Sequence, residues 1–340
     1  MFLVLFGGGD INIAVVGATG IVGTKIIECL LRLNVLPDRL FLFASKKSNG
    51  RRVVFMGKEL FVEELCPENI SGKHIDIAFF AAGGTVAKSY VHHFLKAGAV
   101  VIDNSSAFRL QKGVPLVVPE VNPSDLKLHS GIIANPNCST IMLMPVLSML
   151  DRLYGVKRCV VATYQAVSGA GAKGFEDLRL GEMGFSAKSS PIRLYSNCVP
   201  QIGEISPNGY SEEENKIIFE SKKILHNSNL KITATAVRVA CFNCHSQAVN
   251  VELCKKYDDN RLIGQLLNLK GVCLKQSDKS FFVPTTVDAD DNFDIFIGRV
   301  RRDVSKRNAL SFWLVFDNLL KGAALNAVQI AKYLIDNKLL

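Results

Sequence analysis

The feature that most narrows what this chain can fold into is the run Gly17-Ala18-Thr19-Gly20-Ile21-Val22-Gly23. It joins an apolar, strand-like stretch, Ile11–Val16, to a stretch of helical periodicity, Ile21–Leu33. Glycines at such a joint permit a tight turn and let the main chain approach a pyrophosphate, which then rests on the amides of the helix N-terminus. The spacing is G-x-x-G-x-x-G, and a glycine pattern alone is weak evidence, because a purely structural turn gives the same signal. Its place at the start of a strand–helix–strand unit is what points to a dinucleotide, with Gly17, Thr19, Gly20, Ile21, Val22 and Gly23 as the cofactor loop. The rhythm continues through strand-like Leu40–Ala44 and Ile75–Ala81, helical Thr85–Ala97 closed by Gly98, and short strands Ala99–Ile102 and Ile132–Ala134. That order implies a parallel sheet with helices on both faces, an α/β, doubly wound, Rossmann-like domain.

The end of the second strand distinguishes the two dinucleotides. An NAD site places a carboxylate there for the ribose hydroxyls. Here the segment reads Phe43-Ala44-Ser45-Lys46-Lys47-Ser48, with no acid. Ser45, Lys47 and Ser48 suit a 2′-phosphate, so NADP is expected; an exposed basic loop is the plain alternative.

The character of the chain changes near Cys138. Asn135-Pro136-Asn137-Cys138-Ser139-Thr140 puts a cysteine at the expected start of a helix, Ser139–Leu150, where oriented amides favour a thiolate. Taken alone, a buried inert cysteine explains such a residue better. Beyond it come strand Arg158–Tyr164, a glycine-rich loop Ser168–Gly174 and an amphipathic helix Glu212–Leu225. Strands Lys231–Val239, Gln247–Leu253, Asp294–Val300 and Leu310–Phe316 belong to a second, mostly antiparallel or mixed sheet, and Leu319–Asn337 is a final helix.

The bulk properties fit this plan. The 340 residues are enough for about two domains, and 48% hydrophobic with 21% charged residues describes an ordinary globular protein. No apolar run approaches a membrane span, and Met1–Phe6 lacks the basic leader of a secretory signal. A cytoplasmic protein is expected, with Met1–Asp10 a tail or a run-in to the first strand. Nine scattered cysteines suggest reduced thiols. The net charge of +9 is dispersed, with no aromatic-interleaved basic tract, so small anions rather than nucleic acid are the expected partners.

Several segments together resemble aspartate-semialdehyde dehydrogenases. They are Gly17–Gly23, Asn104-Ser105-Ser106-Ala107-Phe108-Arg109, Pro136–Thr140, Tyr164-Gln165-Ala166-Val167-Ser168-Gly169-Ala170-Gly171, Glu213-Glu214-Asn215-Lys216, Arg238 through His245, and Asp317–Ala324. The resemblance runs in order from about Ile11 to the C-terminus, and it implies roles. Cys138 would be the nucleophile forming an acyl thioester. His245 would be the general acid/base serving the thiol and the hemithioacetal, and Gln165 would orient the intermediate. Arg238 would pair with the substrate carboxylate, Glu213 with its amino group, and Arg109 and Lys216 with phosphate; Asn137 would join the substrate site. Ser168, Gly169 and Asn318 would complete the cofactor site, and no metal is implied.

The implied reaction is the NADP-dependent interconversion of 4-phospho-L-aspartate and L-aspartate 4-semialdehyde. It feeds lysine, threonine and methionine synthesis, with diaminopimelate as an intermediate. The implied architecture is an NADP-binding domain, residues 1–137 completed by 318–340, and an α+β catalytic and dimerisation domain, 138–317, in a homodimer.

Each secondary residue has a plainer reading: a surface arginine for Arg109, a solvated helix start for Glu213, an intrahelical pair for Lys216, a core histidine for His245. The related alternative is N-acetyl-γ-glutamyl-phosphate reductase, against which Cys138-Ser139-Thr140 and Asn318–Ala324 speak. A non-catalytic NADP-binding relative is expected to have lost the nucleophile or its base. Gln247 stands where the family often has glutamate, and Ala240-Cys241 replaces a more usual proline-containing pair. Cys241-Phe242-Asn243-Cys244-His245 spells a haem-attachment pattern, but without a visible export signal; as a zinc site it lacks a second pair. No function is expected of His92-His93.

Overall fold

The structure is a computed structural model that describes residues 11–277 and 282–340, so the expectation for Met1–Asp10 lies outside the described residues. Two compact units divide the chain. The first comprises residues up to Pro115, Ser124–Asn135 and Ala327–Leu340; the second comprises Leu116–Pro123 and Pro136–Asn326.

The first unit contains β1 (Asn12–Val16), α1 (Ile21–Arg32), β2 (Arg39–Ala44), β3 (Arg52–Phe55), β4 (Lys58–Phe61), β5 (Glu63–Glu64), α2 (Pro67–Ile70), β6 (Ile77–Phe80), α3 (Gly84–Lys96), β7 (Val100–Asp103) and β8 (Ile132–Ala134). Six strands form one sheet in the order β5-β2-β1-β6-β7-β8, every pair parallel. Strands buried on both faces must be apolar throughout, and Ile13–Val16 and Ile77–Phe80 are almost fully excluded from solvent. Strand order reverses beside β1, which has β2 on one side and β6 on the other, and the Gly17 turn leaves the sheet at that point. Two glycines there are required by space. Gly17 has φ +85°, and a Cβ on it would lie 2.7 Å from the Ala81 carbonyl oxygen; one on Gly23 would lie 2.1 Å from the Gly17 oxygen.

β3, β4, β5 and α2 have no counterpart among the sequence expectations. β3 and β4 form a separate antiparallel hairpin turning at Met56 (φ +51°) and Gly57 (φ +74°).

The second unit follows with α4 (Cys138–Tyr154), β9 (Val156–Gln165), α5 (Ala172–Glu182), β10 (Cys198–Val199), α6 (Glu212–Ile224), β11 (Ile232–Val239), β12 (His245–Leu253), α7 (Asp259–Leu267), β13 (Val272–Leu274), α8 (Thr286–Ala289), β14 (Ile295–Arg302) and β15 (Ala309–Phe316). A π-helical turn, Leu320–Ala324, then precedes α9 (Leu325–Asp336). The seven-stranded mixed sheet runs β10-β11-β9-β12-β15-β14-β13. α4 packs on β9, β12 and β15, and α6 packs on β11 and α4.

Two expectations need correcting. The helix after Cys138 does not stop near Leu150. It continues to Tyr154, where Gly155 at φ +71° ends it, and the burial of nearly every side chain from Ser139 to Leu150 offsets the cost of about 3 kcal/mol for the internal Pro145. The glycine-rich segment is a 3₁₀ turn, Val167–Ala170, and then the N-terminus of α5. Among the described residues no helix is long and apolar enough to cross a membrane.

Candidate active site

Cys138 is the first residue of α4 and is partly accessible. Asn137 caps the helix. Its side-chain oxygen accepts from the amides of Ser139 (2.9 Å) and Thr140 (3.4 Å), and its own amide donates to Glu220 Oε2 (2.6 Å). The Asn137 side-chain nitrogen donates to Glu213 Oε1 (2.8 Å). Asn137, expected to touch substrate, is thus tied into the frame that fixes the cysteine. Glu213 and Glu220 lie seven residues apart, two turns of α6, so one helix face offers both carboxylates to the same asparagine.

Glu213 is a hub. Besides Asn137 it accepts from Gln165 Nε2 (3.1 Å), and its second oxygen faces Lys216 Nζ (3.3 Å). Gln165, at the end of β9, also donates to Ser139 Oγ (2.9 Å). Gln247 Nε2 donates to the Ser139 carbonyl (2.7 Å), a bond that an ionised glutamate in its place could not make.

Arg238 and His245 are drawn together by the main chain of one residue, Ala166. The Ala166 amide donates to His245 Nδ1 (3.1 Å), and the Ala166 carbonyl accepts from Arg238 Nη1 (2.6 Å). His245 is fully buried, and its Nε2 has no hydrogen-bond partner among the described residues. Burial, then the neighbouring Arg238 charge, holds the imidazole pKa well below its usual range. Burial also lowers the Arg238 pKa, against the opposing pull of Glu213 and Cys138. Two glycines let these groups approach closely. A Cβ on Gly169 would stand 3.1 Å from Arg238 Nη1 and 3.2 Å from His245 Nε2, and one on Gly322 would stand 2.9 Å from the Cβ of Cys138. The turn carrying Gly322 is anchored by Lys321, which is buried against Glu120 (2.8 and 2.9 Å) and bonded to Asn326.

An accessible thiol at a helix N-terminus, an arginine able to hold a carboxylate, and a carboxamide and an imidazole close by make a site for acyl chemistry on a small anion. The semialdehyde dehydrogenase NAD-binding-domain model matches residues 12–129, and the semialdehyde dehydrogenase dimerisation-domain model matches residues 146–321. The aspartate-semialdehyde dehydrogenase of Aquifex aeolicus is 44% identical over 97% of this chain and 99% of its own. That of Bacillus subtilis is 41% identical over 96% and 98%. The chain belongs to the aspartate-semialdehyde dehydrogenase family. The Vibrio cholerae aspartate semialdehyde dehydrogenase II, solved in complex with ASA, superposes with a TM-score of 0.92 at 38% identity, covering 96% of this chain and 98% of that one.

The glycine loop expected to take the cofactor lies in the first unit, within the span that matches the NAD-binding-domain model. α1 starts after Gly20 with no side-chain cap and no acidic residue in its first turn, so its leading amides face the loop without an internal acceptor from either source. Thr19 Oγ1 lies 3.3 Å from Ser48 Oγ, which joins the glycine loop to the Ser45–Ser48 turn containing Lys47. Ile21 and Val22 open α1. An open helix end, a glycine cradle and a basic turn without carboxylate fit the pyrophosphate and ribose of a dinucleotide. Arg109 is buried in this unit, donating to the carbonyls of Asn135 (2.9 Å) and Asn104 (2.8 Å). Ser168 and Asn318 meet in the second unit, the serine hydroxyl donating to Asn318 Oδ1 (3.0 Å).

The Cys241–His245 run does not gather as a haem or zinc motif. His245 points to Ala166, whereas Cys244, at φ +67°, lies beside Asp290 and Asp317, and Asn243 Nδ2 donates to both of those carboxylates. Sequence reasoning missed Ala166, Glu220 and the Lys321–Glu120 pair. Only Glu220 had a usable signal, its heptad spacing from Glu213.

Proposed function

We propose that this enzyme converts 4-phospho-L-aspartate to L-aspartate 4-semialdehyde, reversibly and with NADP, through a thioester on Cys138. The observation that carries the reading is the capped helix start at Cys138 with Arg238, Gln165, Glu213 and His245 gathered in the same unit. An aldehyde carbon has no leaving group until a nucleophile makes it tetrahedral, and the resulting thioester retains enough energy for phosphate to attack it. Arg238 takes the substrate carboxylate as a two-pronged donor. Glu213 takes the amino group, Gln165 orients the intermediate, and His245 serves the reacting carbonyl oxygen. Arg109 and Lys216 take phosphate. NADP, when bound, supplies the hydride exchange. Its phosphates fit the glycine loop with Thr19, Ile21 and Val22, its 2′-phosphate fits Ser45, Lys47 and Ser48, and Ser168, Gly169 and Asn318 complete its site.

On the same reading the enzyme is a cytoplasmic homodimer in lysine, threonine, methionine and diaminopimelate synthesis. The test follows NADPH absorbance with aspartate semialdehyde, phosphate and NADP, with N-acetyl-glutamate semialdehyde and NAD as controls. Turnover is expected with the first set alone. Equal rates with the acetylated aldehyde would overturn the substrate, and equal rates with NAD would overturn the cofactor preference. Light scattering should give twice the chain mass.

A further inference from the structure

Lys321 lies in the interior, its side chain 1% exposed, where an ammonium persists only with partners. Glu120 meets it with both carboxylate oxygens, at 2.9 and 2.8 Å, and Asn326 Oδ1 lies at 3.1 Å. The Asn326 side-chain nitrogen in turn donates to the Val117 carbonyl (3.0 Å). Glu120 and Val117 both belong to Leu116–Pro123, a short run of the second unit. Two adjacent lashings therefore tie that run to the stretch from Lys321 to Asn326.

What they hold is the π-turn. Its widened bonds run from the Gly322 amide to the Asp317 carbonyl and from the Ala324 amide to the Leu319 carbonyl, both at 3.2 Å. Such winding is rare and occurs mostly as single turns. Asp317 fixes its start by accepting from the Leu319 and Leu320 amides (2.8 and 3.1 Å), and Lys321 fixes its middle. The turn packs on α4, with the Gly322 main chain against the nucleophile: a Cβ there would stand 2.9 Å from both the Cys138 Cβ and the Phe316 ring. A cysteine places its sulfur by a single torsion, so the groups beside its Cβ decide where the sulfur can swing.

We propose that the Lys321–Glu120 pair is a positioning device for the reaction: it keeps the π-turn wound so that the Gly322 main chain walls the Cys138 side chain and fixes the sulfur's line of approach to the substrate carbon. The proposal rests on the reading of Cys138 as nucleophile. Neither charged group touches the reacting atoms. Apolar pairs of similar volume often match a buried ion pair in stability. What the charges add here is direction, because the three N–H groups of the ammonium must point at three fixed acceptors, and this sets the winding of the turn that carries them. A displacement of about 1 Å in the reacting geometry can cost about 10²-fold in rate.

The test separates positioning from stability. Lys321→Met alone strands the carboxylate and should lower the melting point by several degrees; Lys321→Met with Glu120→Leu should recover most of that loss. In the double variant, kcat for aspartate semialdehyde should still be about 10–10²-fold below wild type, with KM within about threefold. Its crystal structure should show the 320–324 turn rewound or Gly322 drawn about 1 Å away from Cys138. Recovery of kcat to within about twofold of wild type would make the pair structural only, and an unmoved turn would overturn the proposal as surely. If the double variant does not fold, Gly322→Ala decides the matter, since it leaves the pair in place and crowds Cys138 directly. Its kcat should fall about tenfold or more, and an unchanged kcat would sink the idea. The crystal structure needs no turnover, so failure of wild type on aspartate semialdehyde would condemn the substrate and leave the positioning result standing.

Discussion

Two helix N-termini, one in each unit, use the same physics in opposite ways. Either end carries roughly half a positive charge. α1 opens on Gly20 with no side-chain cap and no acid in its first turn, leaving its amides for an anion from outside. α4 opens on Asn137, which occupies the amides of Ser139 and Thr140 and is itself held by Glu213 and Glu220, so the helix end serves the side chain that begins it, Cys138. A visiting anion needs an empty end with room, which glycine gives. A resident nucleophile needs a fixed one, which a buried hydrogen-bond frame gives.

The contrast can be broken at either end. The largest effect is expected for Cys138→Ala, where turnover should fall on the order of 10⁴-fold or more while dinucleotide affinity, read by calorimetry, stays unchanged. Retained turnover would make the closed helix end structural only. Next, Gly20→Asp puts a carboxylate at the open end and should weaken dinucleotide binding about tenfold or more; unchanged binding would relocate the anion site. Asn137→Ala removes the α4 cap and should cost about 1 kcal/mol of stability, seen as a melting point about 2–4 °C lower, together with a drop in kcat from the loosened cysteine.

The smallest effect sharpens the comparison at a third, purely structural helix start. Asp288 of α8 accepts from Lys275 and from the Thr285 hydroxyl and amide, and these bonds hold its carboxyl pKa down to about 2. A depressed carboxyl stabilises the fold above its unfolded pKa, 3.8, and that stability is lost as pH falls through about 2. The advantage of wild type over Asp288→Asn in denaturant melts should therefore be full at neutral pH and vanish through that acid window.

What the sequence revealed was what local chemistry determines. The Gly17–Gly23 loop and the Cys138 helix start were legible because a turn, a cap and a helix end are written in neighbouring residues. The β3–β4 hairpin was not, because its turn places Met56 at positive φ, a conformation read from glycine or asparagine rather than methionine. α5 was hidden because its first residues, Ala172-Lys173-Gly174, read as an extension of the glycine-rich loop; Gly174 is needed where a Cβ would strike the Val167 oxygen. α4 outran its expected end because its stop is Gly155, at φ +71°, rather than a residue near Leu150. Ala166 could not have been singled out, since what it contributes is main-chain N–H and C=O rather than a side chain.

The π-turn Leu320–Ala324 limits how the chain can vary. A π-turn holds one residue more than the α-turn it interrupts. Deleting one residue there would restore regular winding but swing Lys321 away from Glu120 and Gly322 away from Cys138, stranding a carboxylate in the interior and filling the space above the sulfur. The segment therefore tolerates changes of composition at Ala323, its one residue that is not buried, far better than any change of length.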